Sequence, residues 1–139
     1  MREILFKAKR KDNGKWVEGY YQKRYDILGN EEHLIFHADS YKVWEYAEVD
    51  PVTLCQFTEL YDKNGKKIWE NDICDRKEKY PEIVKMNHGD WTLDYSYLFG
   101  KEEGYNYCNL GFYVEERKCV ETIGNIFDNP ELLQEVPDE

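Results

Sequence analysis

Two histidines four residues apart, His33 and His37, are the first candidates for chemistry, because Glu31, Glu32 and Asp39 stand beside them. A helix would bring residues i and i+4 together. A strand keeps them on one face but about 13 Å apart, too far to clasp one ion. The intervening Leu34-Ile35-Phe36 reads as strand, and no further ligands follow at metal-site spacing, so no metal or other cofactor is expected. Paired carboxylates are the second candidates. Asp72/Asp75 and Asp90/Asp94 lie beside Trp69 and Trp91, and acids with aromatics are what a glycoside hydrolase requires. In an acidic protein the same residues serve at strand ends, accepting backbone N–H bonds; Asp72, following Asn71 at a corner, fits that use. Cys55, Cys74, Cys108 and Cys119 show no C-x-x-C spacing, and no histidine is paired with one in a recognisable pattern. No convergent catalytic set emerges, and the expected protein is not an enzyme; a small cytoplasmic hydrolase is the last alternative.

The aromatic residues point elsewhere. They make up 16% of the 139 residues, with 12 Tyr and 4 Trp, too many hydroxyl-bearing and indole rings for a small domain to bury. Rings left outside suit a partner interface. Trp16, Tyr20, Tyr21, Trp69 and Trp91, with Asp72, are the expected interface or structural hot spots. The net charge of −10 is divided unevenly: residues 1–24 hold eight bases against three acids, leaving the remainder at −15. A basic end on an acidic body suits head-to-tail self-association, or the bases pair with acids inside one chain. The weakness of exposed ion pairs as a driving force favours the second. Single-stranded nucleic acid could stack on exposed rings, but the basic groove it needs is missing beyond residue 24. Nucleic acid is therefore not the expected partner, and a nucleic-acid-binding or nucleic-acid-mimicking protein is the alternative.

The elements that must position these residues are short. Residues 3–9 alternate, placing Ile4, Phe6 and Ala8 on one side, as in a half-buried strand. Asn13-Gly14 supplies a tight turn, and the chain returns through Trp16-Val17 and Tyr20-Tyr21, with a bulge expected at Gly19. Gly29-Asn30 is a second turn before the strand His33–His37. Tyr41–Glu48 fits either a strand or a short helix, and Asp50-Pro51 ends it. Asn64-Gly65 repeats the turn chemistry of Asn13-Gly14. Short strands follow at Ile68-Trp69, Asp72–Asp75, Ile83–Met86, Trp91–Leu93, Tyr105–Val114 and Cys119–Ile126, with a polar loop over Gly100–Gly104. Asn129 as N-cap, Pro130 and Glu131 open a short C-terminal helix whose Leu132-Leu133 covers the sheet.

The fold class expected is mainly β (all-β to α+β): an antiparallel N-terminal hairpin sheet packed with a small SH3-like barrel and a short C-terminal helix. It is read as one domain over 1–135, divided into an N-terminal β part (1–50), a connecting turn region (51–66) and a barrel part (67–135), with 136–139 frayed. The lack of a secretory signal or membrane span and the unpaired cysteines place it in the cytoplasm.

Three blocks carry a resemblance: R-E-I-L-F-K-A (2–8) with W-V-E-G-Y (16–20), Q-F-T-E-L-Y-D-K-N-G-K-K-I-W-E-N-D-I (56–73), and V-E-T-I-G-N-I-F-D-N-P-E-L-L (120–133). In this order they resemble the YopX family of phage and prophage proteins, end to end, while 76–119 matches only in general character. The family pattern favours glycine where Glu59 and Asn71 stand. The resemblance implies a mainly β, self-associating protein of a bacteriophage or prophage in the bacterial cytoplasm, a phage or host protein being the other possible partner. It implies no reaction and no catalytic residues.

Overall fold

The computed structural model describes residues 4–38, 41–99 and 106–134. The expected loop at Gly100–Gly104 and tail at 136–139 lie outside these residues. The chain divides into two compact units, Met1–Phe57 and Thr58–Glu139. Every strand pair described is antiparallel, so the mainly β class is what the chain adopts.

Unit one lays out β1 (Phe6–Lys9), β2 (Trp16–Tyr25), β3 (Glu31–Ala38) and β4 (Trp44–Glu48) as a meander, with the start of β5 (Cys55–Tyr61) beside β1. Tyr41–Glu48, open to two readings in the sequence, resolves as strand from Trp44 onward. Past their ends, β1 and β4 come together again: Arg10 bridges Val49, Lys11 N–H donates to Glu48 O at 3.0 Å and Asp50 N–H to Lys9 O at 2.9 Å. This closure makes unit one a small barrel-like sheet around Ala8, Ile35, Ala47 and Val49, with Phe6, Val17, Tyr21 and Leu54 packed against them. The period-two pattern that places Phe6 and Ala8 together is the cause of that core.

The bulge expected at Gly19 does not occur, since the β1–β2 register runs unbroken from Phe6↔Gly19 to Lys9↔Trp16. The glycine answers a different need. A Cβ there would collide with the carbonyl oxygen of Phe36, so only a residue without a side chain lets β3 approach.

Unit two contains the end of β5, β6 (Lys67–Trp69) and a five-stranded sheet in the order β10-β9-β8-β7-β11: β7 is Asp72–Asp75, β8 Glu82–Asn87, β9 Asp90–Asp94, β10 Tyr107–Asn109 and β11 Glu121–Asn125. Its core gathers Ile68, Cys74, Val84, Leu93, Leu110 and Val120. The strand expected over Tyr105–Val114 is confined to β10. Asn109 Oδ1 accepts the Phe112 N–H at 2.8 Å, and the chain winds into a π-helical turn at Phe112–Glu116. The last strand is also shorter than Cys119–Ile126, and its register slips between Thr122 and Gly124. The C-terminal turn Pro130–Leu133 is 3-10 helical. Asn129 does not cap it as expected. Its Oδ1 instead accepts the Asn125 N–H at 3.2 Å, and its side chain occupies the space a Cβ at Gly124 would need.

Glu59 and Asn71 both have a φ of 69°. The two positions where the resembling family favours glycine are thus backbone sites in the left-handed region, where a side chain is strained.

Candidate functional site: an aromatic band on the N-terminal sheet

The register of unit one decides which rings face out. Tyr20 pairs with Phe36 and Phe36 with Tyr46, so these three cross the sheet in one row, and Trp44, two residues from Tyr46, shares their face. Neighbouring rings touch: Tyr20 and Trp44 have centroids 5.9 Å apart, and Phe36 and Tyr46 5.7 Å. This face is opposite the Ala8/Ile35/Ala47/Val49 core; Leu34 on it is buried, while Tyr20, Trp44 and Tyr46 are exposed at 42%, 59% and 57%. Cations lie along the band. The Arg24 guanidinium sits 5.3 Å from the Tyr46 ring centre, while the ammonium groups of Lys7 and Lys9 sit 4.5 and 5.5 Å from that of Trp16, which is half-buried.

Tyr21 points the other way, into the core side, where its hydroxyl lies 2.6 Å from His33 Nδ1. The second nitrogen of His33 faces Glu31 Oε2 at 3.3 Å. His33 and His37 do lie on one strand, and among the described residues no group of three His, Cys, Asp or Glu side chains is placed to hold a metal ion. The bases of residues 1–24 find acids inside the unit: Lys11 with Glu48 at 3.2 Å, Lys23 with Glu31 at 3.1 Å, Arg24 with Glu32 at 2.7 Å. Internal pairing, the favoured reading of the charge asymmetry, accounts for these three.

In unit two most of the remaining candidates are tied into the fold. Trp69 is only 4% exposed, and its backbone N–H donates to Asp72 Oδ2 at 2.8 Å. Asp72 is buried and closes the corner that Asn71 turns. Asp75 accepts the Lys77 N–H at 2.8 Å. Trp91 is half-buried against the core. Asp94 is pushed up by burial, yet the Ser96 hydroxyl and N–H and the Asn87 amide outweigh this and hold its carboxyl below the usual range. The Asp90 side chain is exposed at the start of β9.

Sequence reasoning missed a second cluster. Glu82, completely buried, sits 2.6 Å from Arg76 Nε in a close ion contact that is not aligned as a hydrogen bond. Arg76 also reaches Glu78 at 2.9 Å and lies 4.5 Å from the ring centre of Tyr113, which the π-helical turn delivers. Burial raises the Glu82 carboxyl despite the guanidinium. The Cys108 thiol, 3.8 Å from Glu82 Oε2, is pushed up to about 12 by burial and that carboxylate, so it stays protonated at neutral pH. Glu82 follows Pro81 in a polar stretch, and no periodic signal marks it for burial. Cys108 also lines a cavity of about 220 Å³ together with Asn87, His88, Asp90, Thr92, Tyr107 and Asn109.

The chain matches the sequence model of the family described as YopX protein over residues 5–134. Among solved structures it is similar to protein EF1440 from Enterococcus faecalis, with 20% identity, a TM-score of 0.54, and 96% of this chain and 100% of that chain covered. It is similar also to protein yopX from Bacillus subtilis, with 18% identity, a TM-score of 0.51, and 99% and 100% covered. At these identities the likeness is one of fold. No curated protein matches the chain. No helix among the described residues is long and apolar enough to cross a membrane.

Proposed function

The chain belongs to the YopX family, and on that premise we propose that it is a non-enzymatic, self-associating β module acting through protein–protein contacts. Its setting, by the family resemblance, is a phage or prophage and the bacterial cytoplasm. The observation that carries this reading is the band of Tyr20, Trp44 and Tyr46 on the outer face of the N-terminal sheet. Half-exposed rings on strands, Tyr20 against Trp44 and Tyr46 against Phe36, offer large contact area at low entropy cost, the composition found at interface centres. The unit around them is close to neutral, with nine bases against ten acids, whereas residues 58–139 hold ten against nineteen. An apolar contact on a neutral unit supports association that salt does not dissolve. Light scattering over a range of concentration and ionic strength tests it: oligomers that persist at high salt are expected, and a strict monomer throughout overturns self-association.

One observation favours a second reading. Arg24 lies over Tyr46 of the band, and Lys7 and Lys9 lie over Trp16 on the same sheet, the pairing of cation and stacking platform that single-stranded nucleic acid uses. Fluorescence anisotropy with a labelled single-stranded oligonucleotide at low salt decides it. Binding lost on changing Lys7 and Lys9 to Glu supports this reading, and no binding ends it.

A further inference from the structure

The hairpin from β2 to β3 turns over Asp26–Asn30 on a tightly braced frame. Asp26 Oδ1 accepts the N–H groups of Leu28 and Asn30, each at 2.9 Å, and Oδ2 accepts the Asn30 side-chain amide at 3.1 Å. Main-chain bonds from Asp26 N to Asn30 O and from Gly29 N to Asp26 O complete it, with Gly29 supplying a φ of 84°. What this frame carries is unexpected. Ile27 and Leu28 are 101% and 82% exposed, with Tyr25 at the base also exposed. The turns at Asp12-Asn13-Gly14, Asp62-Lys63-Asn64-Gly65 and Asn87-His88-Gly89 carry polar residues at the same place. Two aliphatic side chains held rigidly in water add nothing to the core of their unit. They are preorganised for contact, and preorganisation lowers the cost of binding.

We propose that the Ile27–Leu28 tip of one copy seats on the Tyr20/Trp44/Tyr46 band of a second copy, and that the exchange is reciprocal. This rests on the self-association proposed above and names the surfaces that meet. Charge argues for an apolar receiver. Lys23 and Arg24 behind the tip are paired with Glu31 and Glu32, so no cationic collar is left to attract an anionic membrane surface. The cavity beside β8 and β9 mixes amides, the Thr92 hydroxyl and Asp90 with the His88 and Tyr107 rings and the Cys108 thiol, so it is not a purely apolar receiver for two aliphatic groups. The aromatic band presents Tyr20, Trp44 and Tyr46 half-exposed in the same near-neutral unit.

Spacing supports a closed pair. Tyr20 and Ile27 are seven residues apart along the β2 arm, about 23 Å at the rise of a strand. Two such hairpins laid antiparallel place each tip over the other's band, a self-complementary arrangement about a two-fold axis. Area points the same way. A single tip on a single band covers only a few side chains, well short of the roughly 800 Å² per partner of a stable interface. Two reciprocal contacts, with Tyr25 included, come much nearer.

Sedimentation equilibrium on the full chain tests this with a tip variant (Ile27→Ser with Leu28→Ser), a band variant (Trp44→Ser with Tyr46→Ser) and their equimolar mixture. All the substituted side chains are exposed, and circular dichroism melts confirm that both variants fold. Each variant alone is expected to lose at least 50-fold in self-affinity. The mixture is expected to recover at least 5-fold, because the tip of the band variant still fits the band of the tip variant. A tip variant that associates like wild type, or a mixture no better than its components, overturns the inference; if the band variant has nonetheless weakened, self-association through the band stands. A monomeric wild type overturns both. Binding to phosphatidylglycerol vesicles that vanishes in the tip variant overturns the inference in favour of a lipid surface.

Discussion

Asp62 holds Thr122 across sixty residues of sequence, its Oδ2 accepting both the backbone N–H and the hydroxyl at 3.0 Å. Its Oδ1 takes the N–H groups of Asn64 and Lys66, each at 2.9 Å. One buried carboxylate therefore fixes the Asn64-Gly65 turn and ties it to β11, linking two of the sequence blocks that carry the family resemblance.

Replacing Asp62 tests that link. Asp62→Ala strands three backbone N–H groups and is expected to cost at least about 3 kcal/mol in urea unfolding at pH 7, given about 1.5–3 kcal/mol for a hydrogen bond to a charged group. The acid limb follows from the same bonds. Burial raises the Asp62 carboxyl, but the N–H bonds from Thr122, Lys66 and Asn64 outweigh it and leave the folded-state value below 3.8. The stabilisation is thus complete above that value and is lost as pH falls through the folded one. Asp62→Asn is expected to flatten the acid limb of a stability–pH profile. An unchanged limb contradicts the assignment.

Arg76 and Glu82 are expected to behave as a pair. Glu82 shifts upward in the folded state, so its contribution is present below 4.5 and is lost as pH rises through the folded value. Arg76→Met takes the guanidinium from the buried Glu82 and is expected to cost about 3–5 kcal/mol, whereas Glu82→Gln leaves Arg76 its contact with Glu78 and is expected to cost less. The double variant is expected to recover most of that loss in thermal melts. Additive losses show that the two side chains do not compensate each other.

Glu59 carries a backbone strain that can be removed. A non-glycine residue at a φ of 69° costs roughly 1–2 kcal/mol, partly offset by the chain entropy glycine gives up on folding. Glu59→Gly is expected to raise stability by about 1 kcal/mol and Glu59→Ala to leave it nearly unchanged, as read by denaturant midpoint. A destabilised glycine variant shows that the contacts of Glu59 outweigh the strain.

The alternation Phe6/Ala8, the Asn-Gly turns and the short apolar runs made the strands legible, because each is a local rule that the tertiary structure had no reason to override. Tyr105–Val114 was not legible as it stands: a cap from Asn109 to Phe112 competes with the strand pattern and wins. Asn129 looked like a cap by residue type, yet Gly124, five positions earlier, opens a space that its side chain fills instead. For the aromatic band, the count of rings was visible, but which of them face outward depends on register. Tyr20 and Trp16 were identified, while Trp44 and Tyr46 emerge only when β4 pairs with β3. Trp69 has the residue type of an interface ring and is buried on β6. The exposed Ile27-Leu28 tip was hidden inside an ordinary turn signal.

Hydrogen exchange in dilute and concentrated solution tests the aromatic band as a docking surface most directly. Amides of Trp44 and Tyr46 lie on the terminal strand of their sheet, and self-association through the band is expected to slow their exchange at least tenfold as concentration rises. Amides of Asp90–Asp94 serve as the internal reference and are expected to stay unchanged. Exchange at Trp44–Tyr46 that is indifferent to concentration, or protection that appears only over Asp90–Asp94, contradicts the account.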